Sequence, residues 1–324
     1  MIVFWIIMGA VLFFLIATLV ISYYCFHEAF YANRKQITNP DEYDIPPGKI
    51  YEPFRNTMIT WMKEVRNMNP EEFSVVSFDG LTLRGKFYEY SPGAPIELMF
   101  HGYRGNAERD LCGGVQRCFA LGRSTLIVDQ RASGKSEGNV ITFGVNESKD
   151  CLTWIDFMIK HFGDDVKIII TGISMGAATV MCATGYELPK NVIGALADCG
   201  YTSAKDIIKK VIRTEMNLPE NLAYPFVKLG GRIFGRFNID ETSPIDAIKR
   251  CKVPIIFIHG ESDDYVPCRM SQEVYDACNS KKAIVTFPGA GHGLSYLVDP
   301  EKYLNSLIDF AVDNNIPIAD SNHI

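Results

Sequence analysis

Residues 166–183 read VKIIITGISMGAATVMCA, and this stretch decides the fold. An apolar, β-branched run leads into Gly172-Ile173-Ser174-Met175-Gly176 and then into small residues, the order expected of a strand, a G-x-S-x-G turn and a helix. A serine on such a sharp turn occupies strained backbone space, so its neighbours two residues before and after it must lack bulk. The pattern predicts that the turn presents Ser174 as a nucleophile.

Strand and helix patterns alternate on both sides of this turn. Asp79-Gly80 is a hairpin signal between two alternating runs, and short apolar runs elsewhere are separated by amphipathic segments. The predicted strands are 73–78, 81–90, 96–100, 125–129, 166–171, 192–197, 255–259 and 283–287, and the main helices are 109–121, 147–162 and 300–313. This succession predicts an α/β fold with a largely parallel sheet that helices cover on both faces.

A serine hydroxyl needs a base, because it is a weak nucleophile until its proton is removed. In folds with this turn the order along the chain is serine, then Asp or Glu, then histidine. Three histidines follow Ser174. His259 precedes the best acid and His323 lies in a polar tail, whereas His292 stands in a glycine-rich loop after the last strand. We expect His292 to be the base.

The acid is expected in the loop after the strand 255–259. Asp263 is our assignment, and Asp264 is the main rival because one residue of register decides which carboxylate faces the imidazole. Asp198, at the end of an earlier strand, and Glu261 are more distant rivals.

Stabilisation of the developing oxyanion is expected from main-chain N–H groups. Met175 follows the nucleophile, and Tyr103 lies in the loop after an earlier strand, where Gly102 lets the backbone approach. His101, in the same loop, is interpreted as structural and not as a base.

Composition excludes several classes of function. The 324 residues carry a net charge of −6, which gives no electrostatic case for nucleic acid. Nine cysteines without a C-x-x-C pair favour buried thiols in a reducing compartment over a zinc or redox site. Residues 133–136, SGKS, resemble the end of a P-loop, but Asp129 stands where its first glycine is required. No metal or dissociable cofactor is implied.

Residues 2–26 carry no charge and are long enough to span a bilayer. An uncleaved anchor fits better than a signal peptide, since no basic residue precedes the run and no A-x-A site follows it. Arg34 and Lys35 after the span place the catalytic part in the cytoplasm by the positive-inside bias. Asn146-Glu147-Ser148 is a glycosylation sequon that would matter only in a secretory lumen.

The chain therefore divides into an anchor (1–30), a linker with an amphipathic helix (31–70) and a catalytic domain (71–324). Apolar residues at spacings of three and four within 54–68 indicate a helix that packs on this domain or lies on the membrane surface. Between two predicted strands, residues 201–216 have the pattern of an amphipathic helix, and residues 217–240 mix Pro and Gly with apolar residues.

From about residue 73 onward the chain resembles the α/β-hydrolase superfamily, and within it membrane-anchored bacterial hydrolases near dienelactone hydrolase and the prolyl oligopeptidase catalytic domain. The matching pieces are FHGY (100–103), DQRASGKSEG (129–138), GISMG (172–176), HGESDDYVP (259–267) and GHG (291–293). The resemblance implies the α/β-hydrolase fold and a small helical cap over the active site, formed by residues 201–245. The apolar residues of this cap would line an acyl pocket or pack the cap onto the core.

Together these observations predict a membrane-tethered serine hydrolase with a Ser174-His292-Asp263 triad that cleaves carboxylic esters, acyl lipids included. Peptidase, amidase or thioesterase activity with the same triad is the alternative within the enzyme class. A catalytically silent binding protein is the alternative outside it. The expected partners are a small-molecule or lipid acyl substrate and the membrane, and the oligomeric state is not predicted.

Overall fold

The computed structural model describes residues 1–32 and 42–318 of the chain. Arg34, Lys35 and His323 lie outside the described residues. The helices are α1 (Ile2–Ala29), α2 (Arg55–Asn67), α3 (Ala107–Ala120), α4 (Val145–Phe162), α5 (Met175–Ala183), α6 (Ala204–Thr214), α7 (Glu220–Ile233), α8 (Pro244–Ala247), α9 (Arg269–Ala277), α10 (Ser295–Val298) and α11 (Pro300–Asp313). Short 3-10 turns span Lys49–Phe54 and Ile248–Arg250.

In the described part of the chain, eight strands form one sheet. They are β1 (Glu71–Val76), β2 (Thr82–Tyr88), β3 (Ile96–Phe100), β4 (Ser124–Asp129), β5 (Ile168–Ile173), β6 (Val192–Asp198), β7 (Ile255–Gly260) and β8 (Lys282–Phe287). The spatial order is β1-β2-β4-β3-β5-β6-β7-β8. β2 is antiparallel to both of its neighbours, and the pairings from β4 through β3 to β8 are parallel. The predicted mostly parallel sheet with helices on both faces is confirmed.

The strand order reverses at β3, which lies between β4 and β5. In open parallel sheets the crevice at such a reversal, beside the carboxyl ends of the strands, is where ligands bind. Tyr103 follows β3, Ser174 follows β5, Asp263 follows β7 and His292 follows β8. The topology therefore brings the sequence-predicted site residues to one edge of the sheet.

The expected cap lies between β6 and β7 and contains α6 and α7. Ser203 caps α6, its side chain accepting a hydrogen bond from the N–H of Asp206. The Pro- and Gly-bearing stretch after α6 also forms a helix, α7, which its pattern did not indicate. Burial of Tyr224 and Val227 in the tertiary structure stabilises this helix although Pro225 lies within it.

The last turns of α1 pack on the cap. Ser22, Phe26 and Phe30 are buried there, whereas the residues before Ser22 are largely exposed. A Cβ added to Gly230 of α7 would lie 2.2 Å from the main-chain oxygen of Ser22, so the missing side chain permits the close approach of the two helices. The C-terminal end of α1 is thus part of the folded domain.

The amphipathic helix predicted within 54–68 is α2, and it packs on the domain. Met58, Met62 and Val65 are buried in a cluster with residues of α3. Trp61 stacks on Tyr296 with ring centroids 5.5 Å apart. The buried residues of α2 thus pack on the domain, as the first of the two interpretations predicted.

Candidate active site

Ser174 stands on the strained turn that its sequence context predicts. Its φ of 57° and ψ of −114° are unusual for a residue with a side chain. A Cβ added to Gly172 would lie 2.0 Å from the oxygen of Gly176, and one added to Gly176 would lie 2.0 Å from the oxygen of Phe100. Both glycines are therefore required, because any side chain would collide with backbone.

A continuous chain of hydrogen bonds joins Ser174, His292 and Asp263. The Ser174 Oγ lies 2.9 Å from His292 Nε2, and His292 Nδ1 lies 2.7 Å from Asp263 Oδ2. Nδ1 faces a carboxylate and so carries the ring proton, which leaves Nε2 free to accept the serine proton. The three side chains have the geometry that nucleophile activation requires.

Both carboxylate oxygens of Asp263 accept hydrogen bonds. Its Oδ1 accepts hydrogen bonds from the N–H groups of Tyr265 (2.9 Å) and Val266 (2.8 Å). Burial alone raises the pKa of Asp263, but hydrogen bonds from His259 and His292 outweigh it and lower the pKa to about 2. The carboxylate is therefore ionised throughout the neutral pH range.

The rival acids lie elsewhere. Asp264 is exposed, and Glu261 accepts a hydrogen bond from Thr286. Asp198 is buried beside the turn, where its main-chain oxygen accepts the Ser174 N–H at 2.8 Å, but its side chain is bonded to Tyr303. Among these carboxylates the structure brings Asp263 against His292.

His259 supports the acid, a role that the sequence did not reveal. Its Nε2 lies 2.8 Å from the carbonyl oxygen of Val266 and 3.2 Å from Asp263 Oδ2, so this nitrogen carries a proton that both acceptors face. The other ring nitrogen lies 2.6 Å from the Ser271 hydroxyl. The sequence did contain a clue to this role. His259 lies at the end of β7, and Asp263 follows four residues later in the loop after that strand.

His101 links the loop after β3 to the loop after β4 through hydrogen bonds, which agrees with its interpretation as a structural residue. Its Nε2 accepts the N–H of Gln130 at 3.0 Å, and its Nδ1 therefore donates to the oxygen of Gly102 at 2.8 Å. Burial lowers the pKa of this histidine. A neutral ring with both nitrogens occupied serves as a structural link.

The two main-chain donors expected to form the oxyanion hole flank Ser174. Met175 begins α5, so its N–H is among the donors that the start of a helix leaves free, and the helix dipole favours negative charge there. Tyr103 follows Gly102, where an added Cβ would lie 3.6 Å from the Cβ of Ser174. The Gly102 N–H itself donates to Asp110 at 3.0 Å, which fixes the loop.

A cavity of about 630 Å³ opens beside Ser174 and His292. Its walls come from residues 46–51, from α2 and α3, and from the segment around α10 and α11. Among the described residues that line it, none belongs to the predicted cap (201–245). The apolar residues of this segment, expected either to line an acyl pocket or to pack onto the core, do not line this cavity. They pack instead against the end of α1 and the core.

Within residues 1–32 and 42–318, one cluster offers ligand atoms for a metal ion. Cys199, Asp263 and His292 place such atoms within 4.8 Å of one another. Burial raises the pKa of the Cys199 thiol well above its usual range, and a protonated thiol is a poor ligand. Asp263 and His292 already bond to each other, so the set fits proton transfer better than metal binding.

Residues 133–136, which resemble the end of a P-loop, pack around the Asp129 side chain. Asp129 accepts hydrogen bonds from the N–H of Lys135 (2.8 Å) and from that of Ala107 (2.9 Å). A Cβ on Gly134 would lie 2.2 Å from this carboxylate. In this loop the Lys135 N–H donates to Asp129, and the N–H groups of Ser133 and Ser136 donate to main-chain oxygens, so these three donors are not available to a phosphate.

Comparison with known proteins gives a family match and several relatives. A sequence model of the prolyl oligopeptidase family matches residues 141–315, more than half of the chain. An uncharacterised protein of Bacillus subtilis, YqkD, is 28% identical over 195 residues, which are 60% of this chain and 63% of YqkD. The chain thus spans less than two thirds of the length of that relative. Protein bem46 of Schizosaccharomyces pombe is 28% identical over 258 residues, 77% of this chain and 79% of bem46.

Among solved structures, the chain is similar to the Pyrococcus furiosus esterase Pf2001. The TM-score is 0.65 at 19% identity, and the match covers 87% of this chain and 98% of the esterase. At that identity the likeness establishes the α/β-hydrolase fold.

Proposed function

The chain belongs to the prolyl oligopeptidase family and has the α/β-hydrolase fold, and on this premise we propose that it is a serine hydrolase that cleaves carboxylic esters through an acyl-enzyme on Ser174. The observation that carries the proposal is the hydrogen-bond chain from Ser174 through His292 to Asp263, with distances of 2.9 Å and 2.7 Å.

The reaction follows from this geometry in two halves. Ser174 Oγ attacks the ester carbonyl while His292 Nε2 takes its proton, and the ionised Asp263 stabilises the imidazolium. The N–H groups of Tyr103 and Met175 hydrogen-bond the oxyanion of the tetrahedral intermediate. Collapse breaks the ester C–O bond, and His292 returns the proton to the departing alcohol. Water then attacks the acyl-enzyme by the same steps, releasing the acid and restoring Ser174.

Two observations support a small ester as substrate. The structurally similar Pyrococcus protein is named an esterase and is covered over 98% of its length. The cavity beside Ser174 has the size of a small-molecule site and is walled by residues 46–51 and α2. The family name favours peptidase or amidase activity as a second candidate, because the same triad cleaves amides.

We place this enzyme at a membrane. α1 is long and apolar enough to span a bilayer, although a signal sequence meets the same description. Cleavage after α1 would remove Ser22 and Phe26, which are buried against the predicted cap, and this supports a retained anchor. The positions of Arg34 and Lys35 support a cytoplasmic catalytic domain. Labelling single cysteines introduced at each end of α1 in intact cells tests this orientation, and labelling of the C-terminal side from outside would contradict it.

Reaction with a fluorophosphonate tests the nucleophile. The full-length protein in detergent micelles should gain the mass of one phosphonyl group, and Ser174→Ala should gain none. Equal labelling of the two proteins, or none of the native one, would remove Ser174 as the nucleophile.

Rates on p-nitrophenyl butanoate and on the matching p-nitroanilide then separate ester from amide hydrolysis. Faster cleavage of the anilide would overturn the ester assignment, and turnover of neither by a labelled protein would favour a binding role.

A further inference from the structure

The cavity beside Ser174 continues along the face of the sheet between α3 and α11. Met99, Thr171 and Leu196 stand at adjacent register positions on β3, β5 and β6 and line it. Gly114 of α3 lines it as well, and a Cβ there would lie 2.3 Å from the Cε of Met99. The missing side chain leaves room for Met99 beneath α3, so the cavity has a mainly apolar passage next to the nucleophile.

Three polar side chains line the same cavity: Arg117 of α3, Asp198 of β6 and Tyr303 of α11. The Tyr303 hydroxyl donates to Asp198 Oδ2 at 2.8 Å and accepts from Arg117 Nη1 at 3.4 Å. Each of the three residues is more than nine-tenths buried. They form one connected group, which we call the polar floor.

One hydrogen-bond donor and one acceptor of the polar floor are unsatisfied among the described residues. Within the described residues, the Nε–H of Arg117 and the Oδ1 of Asp198 have no hydrogen-bond partner, although both atoms are buried. Leaving a buried polar group without a partner is unfavourable, so such a pair of atoms calls for a ligand or a water molecule.

Charge decides which ligand group fits. Glu97 binds both Arg117 and Arg123, and with Asp198 the buried network contains two carboxylates and two guanidinium groups. Because these charges cancel, an added carboxylate or ammonium group would be buried without a counter-charge. An uncharged hydroxyl can donate to Asp198 Oδ1 and accept from Arg117 Nε at the same time.

We propose that the polar floor binds a hydroxyl group at the end of a short apolar limb of the substrate, so that the enzyme prefers ω-hydroxylated esters over plain alkyl esters. The inference rests on the proposed function, since it takes Ser174 as the reacting group. Asp198 is the register partner of Ile173, the residue before Ser174. Neighbouring strands lie about 4.8 Å apart, so only a short chain is needed to reach from the scissile carbonyl to Asp198.

The experiment compares substrates of equal shape on the full-length protein in detergent. For the acyl limb, p-nitrophenyl 6-hydroxyhexanoate is compared with p-nitrophenyl heptanoate, in which a methyl group replaces the hydroxyl. For the alcohol limb, 6-hydroxyhexyl butanoate is compared with heptyl butanoate. We expect kcat/KM to favour the hydroxylated ester about tenfold or more in one of the two pairs, the effect of one buried polar pair left unmade.

Asp198→Asn serves as the matched variant, because the amide oxygen can still accept from Tyr303 while the second atom becomes a donor. The ratio of kcat/KM within the preferred pair should fall toward one in this variant. The ratio is used because it cancels any general effect on Ser174. If the variant does not fold, the ratios of the native protein decide alone.

Hydrolysis of p-nitrophenyl acetate, which is too short to reach the polar floor, separates the two proposals. If acetate is hydrolysed but both pairs give ratios near one, water fills the polar floor and this inference is wrong. If acetate is not hydrolysed, or is hydrolysed equally by Ser174→Ala, the proposed function itself fails.

Discussion

The phenolic hydroxyl of Tyr103 donates a hydrogen bond of 2.9 Å to the main-chain oxygen of Ala29, the last residue of α1. Arg104 adds a second bond of 2.7 Å to the oxygen of Glu28. The loop whose N–H is assigned to the oxyanion hole is thus attached to the end of the N-terminal helix.

Tyr103→Phe should lower kcat while leaving KM nearly unchanged. The substitution keeps the main-chain N–H but removes the bond to Ala29, so the donor is held less firmly where the oxyanion forms. One hydrogen bond is worth about 1 kcal/mol, which corresponds to about a fivefold fall in kcat. Tyr90→Phe, on an exposed tyrosine, is the control. A rise in KM with kcat unchanged would show that the tyrosine binds substrate instead.

Phe30→Ala should destabilise the domain although Phe30 directly follows the membrane-span candidate. The Phe30 side chain is fully buried, and its ring centroid lies 5.0 Å from that of Phe237, a residue of the predicted cap (201–245). Removing a buried phenylalanine costs about 3–5 kcal/mol of unfolding free energy. Phe14→Ala is the matched control, because Phe14 is an exposed phenylalanine of α1. Thermal unfolding in detergent measures both, and equal midpoints would show that the end of α1 does not stabilise the cap.

Asp263→Asn and Asp264→Asn compare two carboxylates one residue apart. Asp263 bonds His292 at 2.7 Å, whereas Asp264 is exposed. Loss of the orienting carboxylate in a triad lowers kcat by about 10⁴. We expect a fall of that order for the first variant and a change of less than about threefold for the second, since exposed substitutions have small effects. A larger fall for Asp264→Asn would reverse the assignment.

The sequence was sufficient to propose Ser174, His292 and Asp263 because each follows a strand and their order along the chain leaves few choices. It could not show which segments wall the cavity, because residues 46–51 and α2 precede the first strand and reach Ser174 only through tertiary packing. The burial of Phe30 escaped prediction for a related reason. A uniformly apolar helix does not reveal where it leaves lipid and enters protein.

Asp198→Asn should stabilise the protein at alkaline pH and leave its stability unchanged near pH 4. Burial raises the pKa of Asp198 to about 6, although Tyr303, His259, Arg117 and His292 all act in the opposite direction. A carboxyl with a raised pKa favours the folded state below its unfolded value of about 3.9, and this contribution is lost as the pH rises through 6. The loss amounts to about 2–3 kcal/mol above that pH, and an asparagine does not incur it. Unfolding by urea at pH 4, 6 and 8 measures the difference between the two proteins. A difference that does not grow with pH would show that Asp198 has its ordinary pKa in the folded protein.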